Sequence, residues 1–140
     1  MIRAFLDTNV VIDLLAKREP FYKEAVKIFT LAYNQKILLF ISPLTYANAA
    51  YILRKNGAEQ VRLLLRNLRQ LSLITEYDET VVDRSLSSNF KDFEDALQYY
   101  SALTKNVDVI ITRNLKDFVD VTCPVLSPDE FLSRYYEQFD

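Results

Sequence analysis

Carboxylates and other polar side chains stand at the ends of three apolar runs that predict buried strands. The runs cover residues 2–6, 37–41 and 107–112, and the polar groups at their ends are Asp7, Ser42, Thr112, Asn114 and Asp117. Ligands bind outside the carboxyl ends of the strands in open α/β sheets. If the three strands are parallel neighbours, these side chains therefore gather at one edge of the sheet. Asp7 also has an ordinary alternative role as a helix cap.

Two further acids, Asp92 and Asp95, lie near the start of a helix predicted over residues 90–104. Their spacing of three residues puts both side chains on one face of that helix. Acids in a first turn also suit the helix dipole, which stabilises each by about 0.3–1 kcal/mol. This ordinary role fits Asp92 better, because Asp95 sits a turn deeper, beside Ala96 at the edge of the apolar stripe.

Carboxylates that are packed at one sheet edge repel one another, and a fold keeps them together where a cation or protons relieve the repulsion. Oxygen ligands select hard cations, so we expect Mg²⁺ or Mn²⁺ as the cofactor. A metal held in this way activates water and stabilises charge on a scissile phosphate. The acids therefore favour a metal-assisted reaction at the edge of the sheet.

Missing residue types exclude several other chemistries. The chain has no His, which excludes Ser-His-Asp and Cys-His nucleophile systems built within it. The absence of His and the single cysteine, Cys123, also argue against an ordinary zinc site. The single glycine, Gly57, rules out Gly-rich phosphate-binding loops. A net charge of −2 argues against non-specific coating of DNA but leaves room for a local basic face.

Length and composition indicate one globular domain over residues 1–140. Hydrophobic residues make up 50% of the chain and charged residues 26%, which is typical of folded rather than disordered proteins. No apolar run approaches the ~20 residues of a membrane-spanning helix. The N-terminus also lacks a signal-peptide pattern. We therefore expect a cytoplasmic protein with no membrane partner.

Strand-like and helix-like segments alternate along the chain. Periodicity predicts strands over residues 2–6, 37–41, 71–75, 107–112 and 121–126. It predicts helices over residues 10–16, 21–34, 44–55, 59–70, 80–86 and 90–104, with residues 87–89 as a cap, and a last helix from 127 into an aromatic tail that reaches Phe139. The alternation predicts the α/β class, as a three-layer α/β/α sandwich with a central parallel β-sheet.

The ordered set Asp7-Thr8-Asn9, Asp95-Ala96 and Thr112-Arg113-Asn114-x-x-Asp117-Phe118 resembles the PIN domain, the fold of VapC-type toxin ribonucleases. The order and spacing fit across essentially the whole chain. The resemblance implies a catalytic, metal-binding site for Mg²⁺ or Mn²⁺ formed by Asp7, Asp95 and Asp117. The residues that it implies in support are Asn9, Asn48, Thr112 and Asn114, and Asn114 is the alternative to Asp117. From their positions beside the acids, Asp92 is expected to support the site and Arg113 to contact substrate phosphate.

Asn48 departs from the pattern of the family. The family's second acid, usually a Glu early in the helix after the second strand, falls near this position. An amide can coordinate through its carbonyl oxygen, but it contributes no charge. A missing pair of unit charges about 4 Å apart forfeits about 4 kcal/mol at an effective dielectric near 20. We therefore expect weaker metal affinity, although the resemblance includes a bacterial subgroup with Asn here.

Three functions are compatible with these residues. The first is a metal-dependent endoribonuclease that hydrolyses RNA phosphodiester bonds as the toxin of a toxin–antitoxin pair, for which the resemblance implies an antitoxin partner and a homodimer. The second is a catalytically weakened PIN-like module that binds nucleic acid or protein. The third is a phosphatase or receiver domain. It ranks last because Asn9 stands where a haloacid dehalogenase-type phosphatase needs Asp, and the acidic pair and late Lys of a receiver are not evident.

Overall fold

A five-stranded parallel sheet forms the centre of the computed structural model, which describes residues 1–135. The strands are β1 (Ile2–Leu6), β2 (Ile37–Ile41), β3 (Leu73–Ile74), β4 (Val109–Ile111) and β5 (Val125–Leu126), in the spatial order β3-β2-β1-β4-β5. Every neighbouring pair is parallel. Within the described residues, no helix is long and apolar enough to cross a membrane. Tyr136 and Phe139 of the predicted aromatic tail lie outside these residues.

Helices cover both faces of the sheet. They are α1 (Thr8–Leu15), α2 (Tyr22–Tyr33), α3 (Pro43–Ile52), α4 (Ala58–Gln70), α5 (Glu79–Leu86), α6 (Phe93–Leu103) and α7 (Pro128–Tyr135). Side chains alternate along a strand, so Ala4 and Leu6 face one way and Phe5 the other. The first face packs against α1, α2, α4 and α7. Phe5 packs against α6 through Tyr99 and Ala102. The predicted three-layer α/β/α fold is confirmed.

The strand order places three carboxyl ends side by side. β1 lies between β2 and β4, and Leu6 is in register with Ile111. The backbone N–H of Asp7 donates to the Ile111 carbonyl at 3.0 Å, which continues the β1–β4 pairing by one residue. Asp7, Ser42 and Thr112 directly follow these three strands, so the predicted sheet edge is formed by neighbours.

Helix α6 begins three residues later than predicted. Its cap is Asp92, whose carboxylate accepts from the backbone N–H groups of Glu94 at 2.8 Å and Asp95 at 3.4 Å. The predicted cap at residues 87–89 is therefore wrong, because an Asp in extended conformation next to the first turn satisfies those donors directly. Phe90 still joins the core, with its ring centroid 5.6 Å from that of Tyr99.

Strand β5 is also shorter than the run over residues 121–126 that suggested it. The ladder with β4 pairs only Ile110 with Val125 and Ile111 with Leu126. Pro124 has no N–H to donate to a neighbouring strand, and Asp120 adopts a positive φ of 54°. The segment before Val125 is therefore a loop, although its apolar side chains resemble those of a strand.

Candidate active site

Asp7 forms the centre of the sheet edge. It is 5% exposed, ends β1 and caps α1. Its Oδ1 accepts from the Thr8 backbone N–H at 2.9 Å and from Gln98 Nε2 at 3.2 Å. Its Oδ2 accepts from Thr112 Oγ1 at 2.8 Å and from Asn9 Nδ2 at 3.4 Å. Four donors from three elements therefore fix the orientation of this carboxylate, which goes beyond the needs of a helix cap.

Thr112 and Asn9, which were predicted to be supporting residues, both contact Asp7. Thr112 is fully buried, and its hydroxyl donates to Asp7 while it accepts from the Asn114 backbone N–H at 3.1 Å. Asn9 donates from Nδ2 to Thr112 Oγ1 at 3.2 Å and accepts at Oδ1 from the Arg113 N–H at 3.2 Å. The loop after β4 is thus held against the start of α1.

Asp95 lies in the first turn of α6, half-buried and close to other acids. Its pKa is raised from the ordinary value of 3.8 to about 7. The largest cause is burial, and the negative charges of Asp7, Asp92, Asp117 and Glu94 raise it further. A carboxyl that feels all of these charges shares one electrostatic environment with them. The fold therefore brings Asp7, Asp95 and Asp117 into one region.

No basic side chain neutralises these acids in the part of the chain that the structure describes. Its ion pairs are Arg18 with Asp13, Arg113 with Asp13, and Lys105 with Glu76. Asp117 closes a short 3₁₀ turn, Leu115–Asp117, and is half-buried, while Asn114 before it is exposed. The negative charge at the sheet edge is therefore available to an external cation.

The donor set suits a hard cation in chemistry and in charge. Its candidate ligands are carboxylate and amide oxygens, the groups that Mg²⁺ and Mn²⁺ prefer. Over residues 1–135, no three acidic, His or Cys side chains lie close enough together to hold one ion as they stand. Asp7 is fixed by its four donors, so binding of one ion by all three acids would require another of the three side chains to adjust.

Comparison with known families decides the classification. A PIN domain model matches residues 3–116. The chain belongs to the PIN domain family. The predicted resemblance is thereby confirmed.

This PIN domain is similar to several proteins along nearly its whole length. It is 25% identical over 138 residues to ribonuclease VapC1 of Aquifex aeolicus (strain VF5), with 95% of each chain covered. In a toxin–antitoxin complex from Klebsiella pneumoniae, a chain with 25% identity superposes with a TM-score of 0.69, covering 89% of this chain and 97% of the other. The VapBC2 structure from Rickettsia felis, bound to a promoter DNA fragment, gives 19% identity and a TM-score of 0.63, with 90% and 98% covered, and supports the fold alone.

Arg113 and Asp92 of this PIN domain have structural partners. The Arg113 guanidinium donates to both carboxylate oxygens of Asp13, at 2.7 and 3.1 Å, and lies 3.8 Å over the Phe21 ring. Asp13 is buried and also pairs with Arg18. The Arg113 guanidinium therefore contacts Asp13 of α1 and not the acids at the sheet edge. Asp92 caps α6.

Asn48 contacts the acidic region through Glu94. It lies on α3, and its Nδ2 donates to Glu94 Oε1 at 3.1 Å. Glu94 directly precedes Asp95 in α6, and its charge contributes to the raised pKa of that residue. The position at which the second acid was expected is therefore filled by the amide of Asn48 on α3, which donates a hydrogen bond to the carboxylate of Glu94 on α6.

Gln98 is the residue at the site that the sequence interpretation missed. It is 1% exposed, one turn after Asp95, and bonds to Asp7, Thr8 and Thr45 through Nε2. The available signal was a long polar side chain between Ala96 and Tyr99 on the buried stripe of a helix. A buried carboxamide needs hydrogen-bond partners, and these are polar groups at the ends of β1 and β2.

The pKa of Asp95 predicts how the stability of the metal-free PIN domain depends on pH. A carboxyl with a higher pKa in the folded protein binds its proton more tightly when folded, so protonation favours folding. This contribution is lost as the pH rises from about 3.8 through about 7. We expect the Tm in EDTA to fall between pH 5 and pH 8, less so in Asp95→Asn. Equal slopes in thermal unfolding of the two proteins would contradict the prediction.

Proposed function

We propose that this PIN domain is an Mg²⁺- or Mn²⁺-dependent endoribonuclease and the toxin of a toxin–antitoxin pair, working in the cytoplasm. The observation that carries the proposal is the group of acids at the sheet edge, Asp7, Asp95 and Asp117, which no Lys or Arg neutralises within residues 1–135. The relative from Aquifex aeolicus is named a ribonuclease, and the compared structure from Klebsiella pneumoniae is a toxin–antitoxin complex. These similarities support RNA as substrate and an antitoxin protein as partner.

In this proposal the three acids hold the cation and their neighbours hold the acids. A bound Mg²⁺ or Mn²⁺ would supply an activated water and would stabilise charge on the scissile phosphate. Asp7 is kept in one orientation by Thr112, Asn9 and the N-terminal turn of α1. Asp95 and Asp117, which are half-buried, would complete the ligand set from α6 and from the 3₁₀ turn after β4.

Arg113 has a positioning role in the proposal. Its two hydrogen bonds to buried Asp13 tie the loop after β4 to α1. That loop carries Thr112 at its start and Asp117 at its end. A direct contact between Arg113 and RNA phosphate, as predicted from the sequence, would require the guanidinium to leave Asp13.

Asn48 is connected to the proposed site by its hydrogen bond to Glu94. The hydrogen bond between them orients a carboxylate of α6 next to Asp95, and this compensates in part for the uncharged amide on α3. If the acids fail to gather an ion despite this contact, the domain is the catalytically weakened binding module instead.

A calorimetric titration with Mn²⁺, followed by an RNA cleavage assay, tests the proposal. The titration is made at pH 8, above the pKa of Asp95, where protons compete least for the ligands. We expect micromolar binding and cleavage that requires Mn²⁺ or Mg²⁺ and stops in EDTA. Binding that is absent or only millimolar, together with intact RNA, would contradict the nuclease and favour the module.

A further inference from the structure

Gln98 is a polar side chain that is fully buried between the sheet edge and α6. Its Nε2 lies 3.2 Å from Asp7 Oδ1, 3.3 Å from Thr8 Oγ1 and 3.0 Å from Thr45 Oγ1. Its Oε1 accepts from the hydroxyls of Ser42 and Tyr77. An amide nitrogen has two hydrogens, so these three acceptors compete for them. The carboxamide is thus saturated at both ends.

The chemistry of the partners determines which way the amide faces. The Asp7 carboxylate only accepts when ionised, so the NH₂ end must face it, and the carbonyl then meets the hydroxyls of Ser42 and Tyr77. A carboxylate at this position would present an acceptor to Asp7, and an apolar side chain would present nothing. An amide provides both a donor for the acid and an acceptor for the hydroxyls.

The partners of Gln98 belong to the elements that build the site. Asp7 ends β1 and caps α1, while Ser42 follows β2 and caps α3. Gln98 itself lies one turn after Asp95, on the same face of α6. Its hydrogen bonds therefore connect the helix that carries Asp95 with the strand end that carries Asp7.

We propose that Gln98 is a positioning residue that sets the separation and orientation of the Asp7 and Asp95 carboxylates by tying α6 to the carboxyl ends of β1 and β2. The inference rests on the proposed metal-dependent function, because two acids must lie at a defined separation to share one cation. Gln98 needs no contact with the cation for this role, since it acts through Asp7. Residues that orient ligands in this way typically change metal affinity by about 10–100-fold when they are replaced.

The test compares Gln98→Met with Ser101→Ala. Methionine keeps the length of the side chain and removes its hydrogen bonds. Ser101 provides the matched control, because it is a buried polar residue of the same helix whose hydroxyl bonds to Thr75 at 2.6 Å and to the Glu76 carbonyl at 2.7 Å, away from the acids. Both variants remove buried hydrogen bonds of α6, so both should lower the Tm in EDTA.

The Mn²⁺ affinity, measured by calorimetry, separates positioning from general stability. We expect Gln98→Met to bind Mn²⁺ about 10–100-fold more weakly, and Ser101→Ala to stay within about twofold of the parent protein. Equal affinities in Gln98→Met and the parent, or an equal loss in Ser101→Ala, would overturn the inference alone. A parent protein that binds no Mn²⁺ would contradict the proposed function and this inference together.

A milder variant keeps the test decisive if Gln98→Met does not fold. Tyr77→Phe removes one of the two hydroxyls that donate to Gln98 Oε1, at 3.3 Å, so the amide that donates to Asp7 is held less firmly. We expect it to fold and to lose Mn²⁺ affinity in the same direction, by a smaller factor. Unchanged affinity in Tyr77→Phe would then overturn the inference.

Discussion

Replacing Asp95 with Asn is expected to abolish Mn²⁺-dependent RNA cleavage and, at the same time, to stabilise the metal-free protein. A unit charge about 4 Å from another is worth about 4 kcal/mol at an effective dielectric near 20. Losing one such interaction with a cation lowers affinity by about 10³-fold. Without metal, the same carboxylate is partly desolvated and is also repelled by Asp7 and Asp117, as its pKa of about 7 indicates. Calorimetry and thermal unfolding in EDTA at pH 8 measure both effects.

Asp92→Asn is the matched control for this variant. Asp92 lies three residues earlier, caps the same helix and is exposed, and Asn caps helices about as well as Asp. The control should therefore keep most of the Mn²⁺ affinity and nearly the Tm of the parent. Cleavage that persists in Asp95→Asn would show that this carboxyl is not an essential metal ligand. A fall in the metal-free Tm of this variant would show that the carboxyl is not destabilised by repulsion.

Replacing Asp7 with Asn is expected to abolish cleavage as well, but with the opposite effect on stability. All four groups around the Asp7 carboxylate are donors, so an amide NH₂ in place of either oxygen faces at least one N–H group. A buried polar group left without its partner costs about 1–3 kcal/mol. We expect the free energy of unfolding to fall by about this amount in urea denaturation with EDTA, and RNA to remain intact with Mn²⁺.

The two Asp→Asn variants together separate a ligand under repulsion from a ligand held by hydrogen bonds. Asp95→Asn should raise the stability of the metal-free protein and Asp7→Asn should lower it, while both lose cleavage. If Asp7→Asn were as stable as the parent, the four donors would not fix the carboxylate in solution. If it still cleaved RNA, the sheet edge would not be the active site.

Features that depend on a few neighbouring residues were predicted well from the sequence. Asp7 and Ser42 directly follow five-residue runs that are apolar except for Arg3, and such runs form buried parallel strands because both faces of the sheet are covered. The Ser42 hydroxyl caps the following helix by accepting from the Thr45 N–H at 3.3 Å, a role that Ser favours at this position. The boundaries of helices and strands were predicted less well where a nearby residue favoured a different end point. Asp92, rather than residues 87–89, caps α6, and β5 begins only after Pro124.

The partners of charged side chains were not predictable from local pattern. Arg113 is next to the acidic loop in sequence, which suggested a contact with phosphate. In the fold it reaches Asp13, 100 residues earlier, and stacks on Phe21. A partly buried charged side chain pairs with an opposite charge that the fold brings close to it. Neither the distance along the sequence nor helix periodicity predicts which residue that partner is.

The sequence by itself determined the alternation of strands and helices, the acids at the strand ends and the restriction to oxygen ligands. These depend on residue type and on spacing of a few residues, which local chemistry controls. The tertiary structure alone decided that Asp7, Asp95 and Asp117 share one electrostatic environment, in which no Lys or Arg of residues 1–135 neutralises them. It also decided that Gln98 links α6 to the ends of β1 and β2. Such relations arise from the order of strands and from helix packing, which bring together residues more than 90 positions apart in the chain.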